Sequence, residues 1–192
     1  MLNSFLVLSI FLFSNSTSDN FEGIIKYCNV KTNDSLIYYI TNDKIRIERK
    51  GEFVAKYGNY TDQFLDLKNN RSILYNAEKG EYNFFDGKRT YFPPEELNKN
   101  LTILNQSCQG YKIDYGEVGY GSRMQDKIYV SNDLYFTKPK NCTIQNILIT
   151  NGTGKITLKQ IRLVEGPDYF GETIWEAVEI IPMEIPDSLL LF

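Results

Sequence analysis

Apolar and polar residues alternate with a period of two along most of this chain, and that pattern predicts short β-strands separated by turns. In Lys44–Arg49 each isoleucine is followed by a charged residue, as expected for a strand with one buried face and one solvated face. Ser35–Ile40 precedes this run across an Asn-Asp pair, so the two runs predict a hairpin. Phe64–Leu67 and Ser72–Tyr75 predict a second hairpin, and Glu81–Phe85 predicts the strand that follows.

The strand pattern resumes in the second half of the chain. Gly110–Tyr115 and Lys127–Ser131 predict two strands joined by a glycine-rich link. Ile147–Thr150 and Lys155–Ile161 flank an Asn-Gly pair and predict a hairpin, and Thr173–Ile181 predicts a long final strand. Helical periodicity is scarce throughout, so the expected fold class is mainly β, with sequential antiparallel strands.

One short helix is expected between the two halves, at Pro93–Leu97. Proline is tolerated in the first turn of a helix, and Glu95 and Glu96 would lie near its positively charged end. The chain shows no internal repeat and no low-complexity linker. Residues 19–192 are therefore expected to form a single antiparallel β domain, two halves of one sheet joined by this helix.

The first 18 residues have the features of a signal peptide. The apolar run Phe5–Phe13 is shorter than the roughly 20 residues needed to span a bilayer. The small polar residues Ser14–Ser18 follow it, an order typical of a cleaved export signal. The alternative is a buried N-terminal strand or helix. No later segment is long and apolar enough for a transmembrane anchor, so the mature protein is expected in the periplasm, in the cell envelope or outside the cell.

The composition excludes several kinds of chemistry. The chain contains no histidine, so histidine-based zinc sites and catalytic triads are excluded, and a cysteine nucleophile would lack its base. A net charge of -3 without a run of Lys or Arg argues against nucleic acid as a partner. Glu95 and Glu96 would diverge on a helix, and Glu176 is expected to face solvent. No catalytic residue, metal ligand or cofactor is predicted.

Three cysteines remain after the leader, and an oxidising compartment makes one disulfide plausible. Cys108 and Cys142 are the preferred pair because both lie beside turn-forming residues. Cys28 lies within an expected strand, where a small buried side chain is the ordinary explanation. Geometry decides the pairing.

The sequence contains more Asn-X-Ser/Thr triplets than chance predicts, which is roughly two or three for a chain this rich in asparagine. In a eukaryotic source they would indicate a heavily glycosylated secreted protein, whereas in a bacterium most would serve turn formation. The eight triplets begin at Asn15, Asn33, Asn59, Asn70, Asn100, Asn105, Asn141 and Asn151.

Seven segments, in this order and spacing, resemble a known protein family. They are Phe21–Tyr27, Lys44–Glu48, Asp66–Asn70, Gln109–Ile113, Ile128–Leu134, Val178–Pro182 and Ile185–Leu189. The family is the exported bacterial domain-of-unknown-function family 4412 and its relatives. The resemblance implies a fold similar to that of the periplasmic lipoprotein carrier LolA, a curved antiparallel half-barrel with one or two short helices over an apolar cavity. The family brings no established activity.

A half-barrel of this kind either fills itself with side chains or leaves room for an acyl chain. Strand parity selects the residues that would line its cavity: Ile37, Tyr39, Ile45, Ile47, Leu65, Leu67, Ile128, Val130, Ile156, Leu158 and Trp175. Any one of them could equally be an ordinary core residue.

Two functions are therefore expected. The first is an exported, noncatalytic envelope protein that binds a lipid or another apolar ligand, such as an acylated peptide, in the half-barrel. The alternative is a structural or protein-interaction module with a self-filled core, a secreted glycoprotein if the source is eukaryotic. An envelope protein is a possible partner in either case.

Overall fold

Eleven strands of one antiparallel sheet dominate the computed structural model, which describes residues 20–52, 54, 59–86, 92–144, 146, 148–149 and 151–190. The expected mainly β, antiparallel fold is confirmed. The predicted signal peptide lies outside the described residues. The strands are β1 Gly23–Asn29, β2 Ser35–Ile40, β3 Lys44–Lys50, β4 Tyr60–Asp66, β5 Arg71–Asn76, β6 Glu81–Asp86, β7 Glu95–Ile103, β8 Gln106–Gly119, β9 Ser122–Tyr135, β10 Lys155–Glu165 and β11 Phe170–Pro182.

The first and last strands of the chain pair with each other at the centre of the sheet. The strand order is β6-β5-β4-β3-β2-β1-β11-β10-β9-β8-β7, so two sequential meanders meet where β1 pairs with β11. Ile25 lies opposite Ile180, and Tyr27 lies opposite Ala177 after a bulge in the pairing. The sheet is open, and its edges are β6 and β7.

The prediction of a helix at Pro93–Leu97 is wrong, because edge strand β7 begins at Glu95. Glu95 pairs with Lys112 and Glu96 with Tyr111 of β8. The backbone hydrogen bonds offered by β8 outweigh a weak local signal for one helical turn, since isolated turns of helix are unstable in water. The exposed charged residues of β7 suit a sheet edge, where they discourage pairing with another chain.

The glycine-rich link is much shorter than the sequence predicts. Strand β8 ends at Gly119 and strand β9 begins at Ser122, and these two residues pair with each other. The connection is therefore a two-residue turn, Tyr120-Gly121, with both φ angles positive at 50° and 70°. Positive φ at both positions is the requirement of the tight hairpin turn whose twist matches that of the strands.

The prediction of a hairpin around Asn151-Gly152 is also wrong. Leu148 and Ile149 lie in a turn, while Ile147 and Thr150 lie outside the described residues. Strand β10 pairs with β9 and β11 instead. Both Leu148 and Ile149 are buried in the main core cluster, so their apolar character reflects packing on the sheet and not strand formation.

The C-terminal segment folds back against the sheet. It contains a single turn of 3-10 helix, Asp187–Leu189, flanked by the buried side chains of Ile185 and Leu190. Arg46 of β3 donates a hydrogen bond from Nη1 to the carbonyl oxygen of Leu189, at 3.2 Å. Within the described part of the chain, no helix has the length and apolar character required to cross a bilayer.

Candidate functional site

The face of β1–β4 that carries the largest core cluster, here called the core face, is covered by the protein's own chain. On β2 and β3, Ile40 and Ile45 lie opposite each other and are almost completely buried. The connection between β9 and β10 adds further buried apolar side chains to the same cluster: Phe136, Ile144, Leu148 and Ile149. The cavity expected over the sheet is thus occupied by side chains at these positions.

Most of the residues predicted to line a cavity are buried in the core. Those in the main cluster are Ile45, Ile47, Leu65, Leu67, Ile156, Leu158 and Trp175. Ile128 and Val130 belong to a second, smaller cluster that also contains Ile113.

The parity assigned to β2 was wrong. Ile37 and Tyr39 are half-buried and lie on the opposite face, while Leu36, Tyr38 and Ile40 face the core. Apolar residues occupy both parities of this strand, so alternation alone does not select the buried face. On the outer face Tyr39 donates a hydrogen bond to Oε2 of Glu48, at 3.1 Å.

The connection that covers the core face is held by hydrogen bonds to distant parts of the chain. Asn70, in the turn between β4 and β5, donates to the Asn141 carbonyl at 2.7 Å and accepts from the Thr143 amide at 2.6 Å. Asn146 of the connection donates from Nδ2 to the Tyr38 hydroxyl at 3.2 Å. The buried hydroxyl of Tyr27 joins β1 to β10 by donating to the Thr157 carbonyl at 2.9 Å. Burial raises the pKa of Tyr27 well above its usual value, which keeps the donor protonated. These bonds make the cover a fixed part of the core.

A recess beside Leu190 lies against β3 and β4, next to the outer-face side chain of Phe64. Its volume is about 30 Å³, room for one or two water molecules. It is lined by Lys44, Ile45, Phe64, Leu65, Asp66 and Leu190. A recess of this size is too small for an acyl chain.

A different end of the sheet exposes four large apolar side chains on two neighbouring turns. We call Val118, Tyr120, Tyr169 and Phe170 the hairpin-tip surface. Their exposed fractions range from 47% for Val118 to 102% for Tyr120. Several large exposed apolar side chains at one end of a sheet make that end a candidate binding site.

The two turns of the hairpin-tip surface contact each other. Tyr169 Oη lies 3.5 Å from Ser122 Oγ, and the Gly166 amide donates to the Tyr169 carbonyl at 2.8 Å. A β-carbon at Gly166 would lie 2.5 Å from the Tyr169 ring, so the close approach of that ring requires glycine. The surface is therefore a composite of two hairpins in fixed register.

The charge around the hairpin-tip surface is mainly negative. Glu117, Glu165 and Asp168 are exposed. The exposed cations nearby are Arg123 and Lys31, of which Lys31 pairs with Glu172 at 2.7 Å. Glu165 and Arg123 are directly opposite each other on β10 and β9. The apolar side chains are thus bordered by more carboxylates than cations.

A buried ion pair supports this end of the sheet. Asp126 of β9 is fully buried and receives two hydrogen bonds from Arg162 of β10, at 2.9 and 2.8 Å. Tyr115 donates a third to Asp126 Oδ2 at 2.7 Å. Burial and the neighbouring carboxylate raise the pKa of Tyr115. With its donors and acceptors paired, this network is suited to rigidity and not to proton transfer.

The described residues contain no group of three or more His, Cys, Asp or Glu side chains placed to hold a metal ion.

The network around Asp126 lies three residue pairs along β9 and β10 from the Arg123–Glu165 pair. It therefore fixes the two strands close to the hairpin-tip surface.

The structure does not contain the expected disulfide between Cys108 and Cys142, and all three cysteines are free thiols. Cys108 and Cys142 are both buried, and each sulfur has its own local partner. The Cys108 thiol donates to the Gln106 carbonyl at 3.5 Å, and that of Cys142 to the Ile144 carbonyl at 4.0 Å. Proximity to turn residues therefore did not identify a bonded pair.

A thiol reagent near pH 8 is expected to modify Cys28 first, because it is the half-buried cysteine and reaction requires an accessible thiolate. Burial raises the pKa of Cys108 to about 11, so this thiol should react slowly. Unfolding without reductant should release all three thiols. A count of one thiol in the unfolded, unreduced protein would instead establish a disulfide.

Sequence reasoning missed the hairpin-tip surface. The signal available was a set of aromatic residues beside turn-forming glycines, as in Gly119-Tyr120-Gly121 and Tyr169-Phe170-Gly171. That pattern also occurs at ordinary strand ends. Only the pairing of β9 with β10 brings the two turns together.

The comparisons with known proteins indicate a fold and no activity. No family model and no curated protein matches the chain. Among solved structures, the chain is similar to one described as "Structure of PNGF-II in C2 space group", with a TM-score of 0.54 and 13% sequence identity. The match covers 87% of this chain but only 29% of that chain. In that protein, the similar fold is thus one part of a longer polypeptide.

Proposed function

We propose that the protein is an exported, noncatalytic interaction module that docks another protein through the hairpin-tip surface. The observation that carries the proposal is the exposed apolar cluster of Val118, Tyr120, Tyr169 and Phe170, which two contacting turns hold in place. This is the second of the two functions expected from the sequence.

The packing of the core face supports this choice over lipid carriage. Phe136 and Leu148 occupy the space above the sheet that an acyl chain would need, and both are almost completely buried. Native interiors are close-packed, and removing such side chains costs several kcal/mol. Displacing them to admit a lipid would carry a similar cost.

The composition of the hairpin-tip surface suits a protein partner. Tyrosine and phenylalanine are enriched at the centres of protein interfaces, where they supply most of the binding energy. Glu117, Glu165 and Asp168 would meet complementary charge, so the partner should present an apolar depression bordered by Lys or Arg. The same carboxylates disfavour a second copy of this surface and an anionic membrane.

Selection from a random dodecapeptide display library would test the surface directly. Peptides enriched by the wild-type protein should combine aromatic or aliphatic residues with Lys or Arg. The double variant Tyr120→Asn/Phe170→Ser should weaken their binding at least about tenfold, as expected for loss of two central aromatic residues. Asn is chosen at position 120 because φ there is 50°, a conformation that Asn tolerates.

The matched control is Phe84→Ser. Phe84 is 73% exposed on edge strand β6, outside the hairpin-tip surface, so this variant should keep full binding. Raising the salt concentration should weaken wild-type binding because complementary charges are screened. Enrichment of neutral or acidic peptides, or equal binding by the double variant, would overturn the proposal.

A further inference from the structure

The structure divides the Asn-X-Ser/Thr triplets into two groups. Four have exposed asparagines: Asn33, Asn100, Asn105 and Asn141. Asn33 lies in the turn between β1 and β2, Asn100 on edge strand β7, Asn105 in the turn between β7 and β8, and Asn141 in the connection between β9 and β10. Each is at a turn or an edge, where a bulky group could project into solvent without displacing the core.

The asparagines of three other triplets already hold the structure together. Asn59 donates to the carboxylate of Glu78, and Asn70 anchors the cover of the core face through its side-chain oxygen and nitrogen. Asn151 is buried, and its side-chain nitrogen donates to the Lys155 carbonyl at 2.9 Å and to Thr157 Oγ1 at 2.7 Å. A sugar replaces one of the two hydrogens on the side-chain nitrogen, so at Asn151 it would remove a donor that the fold uses. At Asn59 and Asn70 it would place a bulky group within an existing contact. Asn15 lies outside the described residues.

We propose that Asn33, Asn100, Asn105 and Asn141 are acceptor sites for N-linked glycans. The eight triplets in the sequence exceed the roughly two or three expected by chance. Turn formation alone does not explain the excess, because turns need the asparagine and not a hydroxyl residue two positions later. The inference does not rest on the docking function.

The modification is a group transfer from a lipid-pyrophosphate-linked oligosaccharide. The side-chain nitrogen of asparagine forms a bond to C1 of the first sugar and loses one proton. The bond between that C1 and the pyrophosphate oxygen breaks, and the lipid pyrophosphate leaves with the electron pair. The reaction requires export into a compartment that contains the transferring enzyme.

No triplet lies within either turn of the hairpin-tip surface. No triplet begins between Asn105 and Asn141, or after Asn151. Both turns of the hairpin-tip surface fall in these two intervals. Asn33 shares its turn with Lys31, which pairs with Glu172 at 2.7 Å, so this site lies at the same end of the sheet as Phe170.

Peptide mass spectrometry of the secreted protein, purified from its own source organism, tests the proposal. Enzymatic release of N-glycans converts each modified asparagine to aspartate, so the modified positions can be read directly. High occupancy is expected at Asn33, Asn100, Asn105 and Asn141. Little is expected at Asn70 and Asn151, because chains modified there should fail to fold and to be secreted.

Two outcomes would overturn the proposal. One is a bare polypeptide mass from the source organism, and the other is occupancy at Asn70 and Asn151 equal to that of the exposed sites. Expression of the full chain in a glycosylating secretory host gives a second readout. There, Thr102→Ala should remove one glycan by destroying the Asn100 triplet, whereas Thr153→Ala, in the buried Asn151 triplet, should leave the glycan number unchanged.

Discussion

Replacing Phe136 with alanine is expected to lower the free energy of unfolding by about 3–5 kcal/mol. Phe136 is 2% exposed and belongs to the segment that covers the core face. Its removal would leave a cavity between the cover and the sheet that the hydrogen-bonded connection could not easily close. Urea denaturation of the wild-type and variant proteins measures the difference.

Phe84→Ala is the matched control, because the same side chain is removed from an exposed position on β6. This change should alter the free energy of unfolding by no more than about 0.5 kcal/mol. A similarly small loss for Phe136→Ala would mean that the cover does not contribute to the core in solution. The space above the sheet would then be open to a ligand.

Asp126→Asn is expected to lower the free energy of unfolding by about 3 kcal/mol, near the lower limit for breaking a buried ion pair. The substitution keeps the volume but leaves the Arg162 guanidinium without its counter-charge. The lower limit applies because the Arg162 side chain is 38% exposed, so water compensates part of the loss. Thermal unfolding should show a fall in Tm of about 6–12 °C for a domain of this size.

Two companion variants identify the cause of that loss. In Asp126→Leu/Arg162→Met both charges are removed together, and most of the stability should return, because an apolar pair avoids the cost of burying charge. Asp114→Asn affects partly exposed pairs with Lys112 and Arg123 and should cost much less stability than Asp126→Asn, because solvent screens exposed pairs. Equal losses for Asp126→Asn and Asp114→Asn would show that the buried pair has no special role.

The strands were predictable where alternation was strict. In β3, Ile45 and Ile47 alternate with charged residues, and both are buried as expected. In β2 apolar residues occupy both parities, so Ile37 and Tyr39 were assigned to the wrong face. The buried face of such a strand is set by its neighbours in the sheet and not by its own sequence.

Long-range strand pairing explains the remaining differences between the sequence predictions and the structure. The pairing of β1 with β11 joins opposite ends of the chain, and no local pattern specifies it. At Pro93–Leu97, pairing with β8 replaced the expected helix. The hairpin-tip surface depends on the register of β9 with β10, because that register places Ser122, at the end of the Tyr120 turn, against Tyr169. Each residue alone has the features of an ordinary turn residue.

Native mass spectrometry with solvent extraction tests most directly whether the protein's own side chains fill the core. The protein should be purified from its own source without detergent, and its glycans removed enzymatically. A filled core should give the polypeptide mass with no lipid released. A stoichiometric lipid adduct would contradict the filled core and would favour the ligand-binding half-barrel instead.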